Sequence, residues 1–295
     1  MTNAALPADR PPRNPASNDA GEASGCFVFG TGSPVVLLHA SLGSKGQWKS
    51  LALRLAQRHR VIGLELHGYG DNETLPEPRG GFALHHEVAL ASRQVNRLVA
   101  SRERVHFVGH SYGGLVALAF AHMQPDRVAS LTLYEPVVFG VLECDDKARA
   151  EIEGLAQRVA CSVAAGHRHD AARIFADYWS GDGSYASMAL PAQAALARRV
   201  DKLPLDFRAA MSWPGNRDDL RSITAPALLL GGNRSPVIVQ RIQTLLEQSL
   251  PCCGVARFDC GHMGPVTDPL RVNPSIEAFV RSSTSDSIRP ATVSS

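Results

Sequence analysis

The stretch Val105-His106-Phe107-Val108-Gly109-His110-Ser111-Tyr112-Gly113-Gly114, continued by Leu115-Val116-Ala117-Leu118-Ala119-Phe120-Ala121-His122-Met123, decides how the rest of the chain is read. Its first four residues form a short run rich in β-branched and aromatic residues, which reads as a buried strand. Residues 115–123 are rich in Ala and Leu and read as a helix. Between them stands Gly-x-Ser-x-Gly. The bare pattern is weak; its force comes from a strand leading in and a helix leading out, the setting of a nucleophile elbow. Such a turn is tight and strains the serine backbone, so a side chain at 109 or 113 would collide with the neighbouring strand or helix. Ser111 is the candidate nucleophile.

Working outward, similar apolar runs occur at 35–38, 61–64, 131–134, 227–230 and 255–258. Runs apolar on both faces fit a parallel sheet covered by helices on each side. Leu84, Val88, Ala91, Val95, Leu98 and Val99 share one face of an amphipathic helix, and 239–250 and 273–281 read as further helices. Strands alternating with helices predict a doubly wound, mostly parallel α/β sheet. The alternation breaks at 137–221, where 148–165, 170–178 and 191–200 look helical and no strand is evident. An all-helical insertion there would lie beyond the carboxyl ends of the strands, where such folds bind ligands, and reads as a cap. The predicted organisation is a sheet domain from 25–136 and 222–281, the helical cap at 137–221, and flexible tails at 1–24 and 282–295. The first tail is Pro-rich and the second Ser/Thr-rich.

Composition narrows the function. The 295 residues are 44% hydrophobic, enough for a sizeable core, and 30 Lys and Arg against 28 Asp and Glu leave a charge of +2. No strong field draws the chain to nucleic acid or a membrane surface, and no apolar run approaches the roughly 20 residues of a membrane span. The first residues lack an apolar secretory core, and six cysteines are too sparse for a disulfide scaffold. A cytoplasmic enzyme or binding domain is expected. No dinucleotide or phosphate-loop fingerprint occurs. Cys252, Cys253 and Cys260 lack a Cys-x-x-Cys pairing and read as unligated thiols, so neither cofactor nor metal is expected.

A serine hydroxyl needs a base. Of eleven histidines, His262, in Gly261-His262-Met263 after the last apolar run, is placed to be carried over the end of the sheet. His110 adjoins Ser111 in sequence, so its side chain points away from where the base must sit; His85 and His86 read as surface residues.

These motifs together give the chain its resemblance. Leu37-Leu38-His39-Ala40-Ser41, Leu66-His67-Gly68-Tyr69-Gly70, Gly109-His110-Ser111-Tyr112-Gly113-Gly114 and Gly261-His262-Met263-Gly264-Pro265 make roughly 27–281 similar to the α/β-hydrolase-fold serine hydrolases. That family orders its residues Ser, Asp or Glu, His. Its common acid position, three residues past the Gly after the seventh strand, falls here on Ser235, not a carboxylate. A second placement in the family, the end of its sixth strand, falls on Glu135. Parallel neighbours end on one edge, so Glu135 can reach the Nδ1 side of His262 and fix its tautomer. Asp259 and Asp268 are the alternatives, Asp268 also reading as a helix cap.

The resemblance further implies an oxyanion hole from the backbone N–H groups of Tyr112 and of Ser41, with Ala40 standing where relatives usually carry Gly. His39 reads as structural and Glu65 as organiser of the following loop. Phe139, Phe175, Tyr178, Trp179 and Trp213 either line an apolar acyl pocket or form the cap's own core. The activity implied is hydrolysis of a partly apolar, small-molecule ester through an acyl-enzyme. Ser111 argues against the family's dehalogenases and epoxide hydrolases, which place Asp there. Carbon–carbon bond hydrolysis, acyl transfer and a weakly catalytic ligand-binding receptor remain open on the same fold.

Overall fold

The computed structural model describes residues 25–72, 81–213 and 216–286. One sheet holds β1 (Cys26–Phe29), β2 (Ser33–Leu38), β3 (His59–Leu64), β4 (Val105–His110), β5 (Val128–Tyr134), β6 (Ala227–Gly232) and β7 (Cys253–Phe258), in the spatial order β1-β3-β2-β4-β5-β6-β7. β1 runs antiparallel to β3, and the other pairs are parallel. Every residue of β4 and β5 is buried, as expected of strands covered on both faces.

The helices preceding the insertion are α1 (Lys49–Leu55), α2 (Leu84–Leu98) and α3 (Tyr112–Met123). The insertion between β5 and β6 carries α4 (Lys147–Ala164), α5 (Arg168–Ser180), α6 (Ser184–Ser187), α7 (Leu190–Ala197), α8 (Leu203–Ser212) and α9 (Arg217–Arg221). After it come α10 (Val237–Ser249), α11 (Gly264–Thr267) and α12 (Pro269–Asp286). Leu84, Val88, Ala91 and Val95 of α2 are buried, on the face their spacing predicts. α1 and α12 cover one side of the sheet, with Leu51, Leu55, Val272 and Ile276 packed on Val35, Leu37 and Val61. α2, α3 and α10 cover the other side, their core continuous with that of the insertion.

Besides the short helices α1, α6, α9 and α11, for which the sequence reading names no element, four features depart from it. β1 is an additional strand: four residues, only partly buried and on the sheet edge, it has too little apolar pattern to stand out. α8 is an additional helix. Its buried face, Leu203, Asp206, Phe207 and Ala210, has helical spacing, but a carboxylate interrupts the apolar stripe. The strand before the insertion, sixth in the family's count, is the fifth described here. The C-terminal segment read as a flexible tail from 282 is helical to Asp286; the Thr284 hydroxyl donates to the Val280 carbonyl and meets His106 Nε2, which ties that turn to the sheet. The predicted arm at 1–24 and the rest of the tail lie outside the described residues.

Candidate active site

Ser111 stands between β4 and α3 at φ 54° and ψ −116°, a strained conformation for a residue with a side chain. The flanking glycines are required by close approach. A Cβ on Gly109 would lie 2.6 Å from the Gly113 carbonyl oxygen, and one on Gly113 2.4 Å from the Leu38 carbonyl oxygen of β2. The strain is held by the sheet, since the Ser111 N–H donates to the Tyr134 carbonyl at 2.9 Å.

The histidine predicted as base comes to this serine from the loop after β7. His262 Nε2 lies 3.0 Å from Ser111 Oγ, and its Nδ1 lies 2.7 Å from Glu135 Oε2. All three side chains are buried. Nδ1–H donating to the carboxylate leaves Nε2 free to accept the serine proton. Glu135 directly follows β5 at φ 45°, also in the left-handed region, with its N–H donating to the Leu230 carbonyl of β6. Its other oxygen, Oε1, accepts from the Gly232 N–H and the Ser235 hydroxyl, both at 2.6 Å. Asp259 is exposed and pairs with Arg234, and Asp268 accepts from the Thr267 hydroxyl; neither side chain joins His262.

The loop that carries His262 is fastened by two residues without a sequence motif for that role. Tyr134 donates to the Gly261 carbonyl at 2.7 Å. His110 Nε2 donates to the His262 carbonyl at 2.9 Å, while Gln47 donates to His110 Nδ1 at 3.1 Å. Burial, reinforced by His262 nearby, drives the His110 pKa well below its ordinary value, so the ring stays neutral. The His110 ring lies beside that of His262, centroids 5.2 Å apart, and not away from the place of the base as its position in sequence predicts; its polar contacts go to Gln47 and to the backbone of the other histidine.

Ser41 follows β2 beside the site. Neither its N–H nor that of Tyr112, the first residue of α3, has a hydrogen-bond partner among the described residues. His39 Nδ1 donates to the Ala40 carbonyl and Nε2 accepts the Leu66 N–H, a structural role. Glu65 accepts from both the backbone and the side chain of Lys45, tying two loops together. His85 is exposed, while His86 is half-buried and stacks on Phe82.

A cavity at Ser111 is walled by Val137, Phe139, Phe175, Trp179 and Phe207, with Ser41, Tyr112 and Asp206 as its polar members. Of the five aromatic residues with two readings, Phe139, Phe175 and Trp179 therefore line this pocket. Tyr178 lines an outer cleft and donates to Glu151, and Trp213 packs against His122 instead.

Behind the pocket lies a buried charged network that sequence patterning does not single out. Lys202 Nζ donates to Glu87 Oε1 at 2.8 Å and to Asp206 Oδ1 at 2.5 Å. Asp206 Oδ2 accepts from the Ser41 hydroxyl at 2.5 Å and the Tyr69 hydroxyl at 2.6 Å. Burial alone would lower the Lys202 pKa, but the two carboxylates outweigh it and hold it raised. The ammonium also lies 4.5 Å from the Phe82 ring centroid and 4.9 Å from that of Tyr112. The network links the insertion to α2 and to the loops after β2 and β3. The Lys202–Asp206 spacing of four residues, inside an otherwise apolar helical stripe, is the one sequence signal it leaves. Among the described residues no group of three or more His, Cys, Asp or Glu could hold a metal ion, and no helix is long and apolar enough to cross a membrane.

With this geometry in view, the family profile described as alpha/beta hydrolase fold matches residues 33–269. The chain is 26% identical over 254 residues to 3-oxoadipate enol-lactonase 1 of Acinetobacter baylyi, covering 85% of this chain and 90% of that protein. A shorter stretch of 119 residues is 32% identical to soluble epoxide hydrolase of a Corynebacterium species, 40% of this chain and 39% of the relative. Among solved structures, MenH from S. aureus superposes with a TM-score of 0.70 at 17% identity, over 88% of this chain and 99% of that one. An esterase from Exiguobacterium antarcticum superposes at 0.69 and 18% identity, over 87% and 94%. At these identities the solved structures speak to fold alone.

Proposed function

The chain belongs to the alpha/beta hydrolase fold family, and from that premise we propose that it is a serine hydrolase cleaving a small-molecule ester through an acyl-enzyme. The observation that carries this reading is His262, whose two ring nitrogens lie 3.0 Å from Ser111 Oγ and 2.7 Å from Glu135 Oε2. In the proposed mechanism Ser111 Oγ attacks the ester carbonyl while His262 Nε2 takes the hydroxyl proton. Glu135 keeps the proton on Nδ1 and stabilises the imidazolium that forms. The N–H groups of Ser41 and Tyr112 receive the developing oxyanion. His262 then protonates the departing alcohol, and water releases the acyl group by the same steps in reverse.

The helical insertion, 137–221, acts in this reading as the cap. Support comes from the pocket walls it contributes, among them Phe175, Trp179 and Phe207. An apolar wall with few polar members suits an uncharged, partly apolar substrate. The relative named for an enol-lactone, a cyclic ester, agrees with an ester as the bond cleaved.

The test is labelling by a fluorophosphonate together with hydrolysis of p-nitrophenyl acyl esters. The native protein should label and turn over, and Ser111→Ala should do neither. A native protein that neither labels nor hydrolyses any ester of the series would refute the reading.

A further inference from the structure

Trp179 closes α5 one residue from its end and is nearly fully buried. Its ring stacks on His262, with centroids 4.3 Å apart and planes at 28°, and lies edge-on to Phe175 at 6.1 Å. Three cavities meet at this side chain. The pocket at Ser111 offers about 20 Å³. A groove of about 340 Å³ runs between the loop after β2 and the insertion, with an almost wholly apolar lining that includes Leu42, Met188, Leu196 and Val266. A cleft of about 710 Å³ with a mixed lining opens on the far side, past His262 and Arg234. Trp179 is the one described residue that lines all three.

The sizes decide what can lie where. A water-sized group needs about 10–15 Å³ of such space, so the pocket at Ser111 takes one or two of them, an acetyl methyl or little more. The groove has the volume of an ordinary small-molecule site. Ser41 lines both the pocket and the groove, so a carbonyl held at its N–H would sit where the two adjoin, with Trp179 and Phe175 as the rest of the partition. The alcohol half must leave on the side from which His262 returns a proton, and Met263, the next residue, lines both the groove and the cleft. The Trp179 indole Nε1–H is buried with no hydrogen-bond partner among the described residues. A buried donor left without a partner is destabilising, and a substrate oxygen at the partition would offset that cost.

We propose that Trp179 is the specificity-determining residue of this enzyme, the partition that restricts it to esters of short acyl groups with bulky apolar alcohols. The proposal rests on the serine-hydrolase reading above. The acyl group occupies the small pocket and the alcohol lies along the groove. Replacing the indole by a small side chain joins pocket to groove and admits long acyl chains.

The experiment measures kcat/KM for p-nitrophenyl acetate and octanoate with native protein, Trp179→Ala and Trp179→Phe, each first checked for fluorophosphonate labelling. Because Trp179 touches His262, overall rates will fall, so the acetate-to-octanoate ratio is the readout. Native protein should prefer acetate by at least about tenfold, the scale a hydrophobic pocket gives for a few methylenes. Trp179→Ala should lower that ratio at least about tenfold, and Trp179→Phe, which keeps most of the wall but not the N–H, should hold it within about threefold. A native preference for octanoate, or an unchanged ratio in a labelled Trp179→Ala protein, would overturn the proposal. Should Trp179→Ala fail to fold, native protein alone decides: kcat/KM must rise from ethyl to benzyl to naphthylmethyl acetate, and a fall along that series refutes it. Failure of the native protein to label removes the serine-hydrolase reading and this proposal with it; labelling with the wrong chain-length order removes the proposal alone.

Discussion

The Ser235 hydroxyl donates to Glu135 Oε1 at 2.6 Å. Ser235 is the position on which the family resemblance places the acid, and Glu135 meets it from the end of the neighbouring strand. With the Gly232 N–H on that oxygen as well, Oε1 is fully engaged and Oε2 is left for His262. The carboxylate is thus held by the end of β6 and the loop after it, although its residue directly follows β5.

Two substitutions test this arrangement. Glu135→Gln keeps the shape but supplies an amide, and kcat for p-nitrophenyl acetate should fall by about 10³–10⁴. Ser235→Ala removes one hydrogen bond to a charged group, worth about 1.5–3 kcal/mol, and should cost about 10- to 150-fold at most. Equal losses in the two variants would mean that Glu135 serves only to pack the strand ends.

Lys202→Met leaves Glu87 and Asp206 as uncompensated buried charges. Urea unfolding at pH 7 should show a loss of about 3–5 kcal/mol. Combining it with Glu87→Gln and Asp206→Asn should recover most of that loss, because the penalty lies in the unpaired carboxylates and not in a missing attraction.

Stability should fall on acidification through His106. Burial, aided by the positive charge of His59 and Arg104, lowers its pKa from 6.5 to about 4. Between those values the unfolded chain binds a proton that the folded protein does not, so stability drops as pH falls from 6.5 towards 4. At pH 4.5 the contribution is about 2.5 kcal/mol. His106→Asn should flatten the decline in unfolding free energy between pH 7 and 4.5 by that amount; an unchanged decline would show that His106 does not titrate in this range.

Two glycine substitutions should have opposite signs. Gly113→Ala drives a Cβ to 2.4 Å from the Leu38 carbonyl oxygen and should leave little folded protein. Gly154→Ala, inside α4 with no heavy atom nearer than 3.8 Å, should stabilise by about 0.5–1 kcal/mol. Thermal unfolding of both variants checks the pair.

Much of this architecture is legible in the chain because one physical signal dominates each part. The central strands are buried on both faces, so apolar runs mark them. Gly109 and Gly113 mark the elbow because sterics admit nothing larger there, and Ser111 between them marks the candidate nucleophile. The position of Glu135 at a strand end, together with Ser235 in place of a carboxylate, makes Glu135 the first candidate partner for His262, ahead of Asp259 and Asp268. Lys202 and Asp206 escape such a reading because each breaks the apolar pattern that would reveal its helix, and their meaning depends on Glu87, more than a hundred residues away. His110 escapes because its partner is a backbone carbonyl, which no side-chain pattern encodes.

The pairing of β4 with β5 sets His110 opposite Tyr134 and so puts Ser111 and Glu135 on adjoining strand ends of a single strand–helix–strand unit. Two of the three groups are therefore inherited together, as neighbours in one contiguous stretch of chain, and only His262 has to be delivered from afar. The place of the imidazole therefore depends on the pairing of β7 with β6, and that of the other two groups on the pairing of β4 with β5.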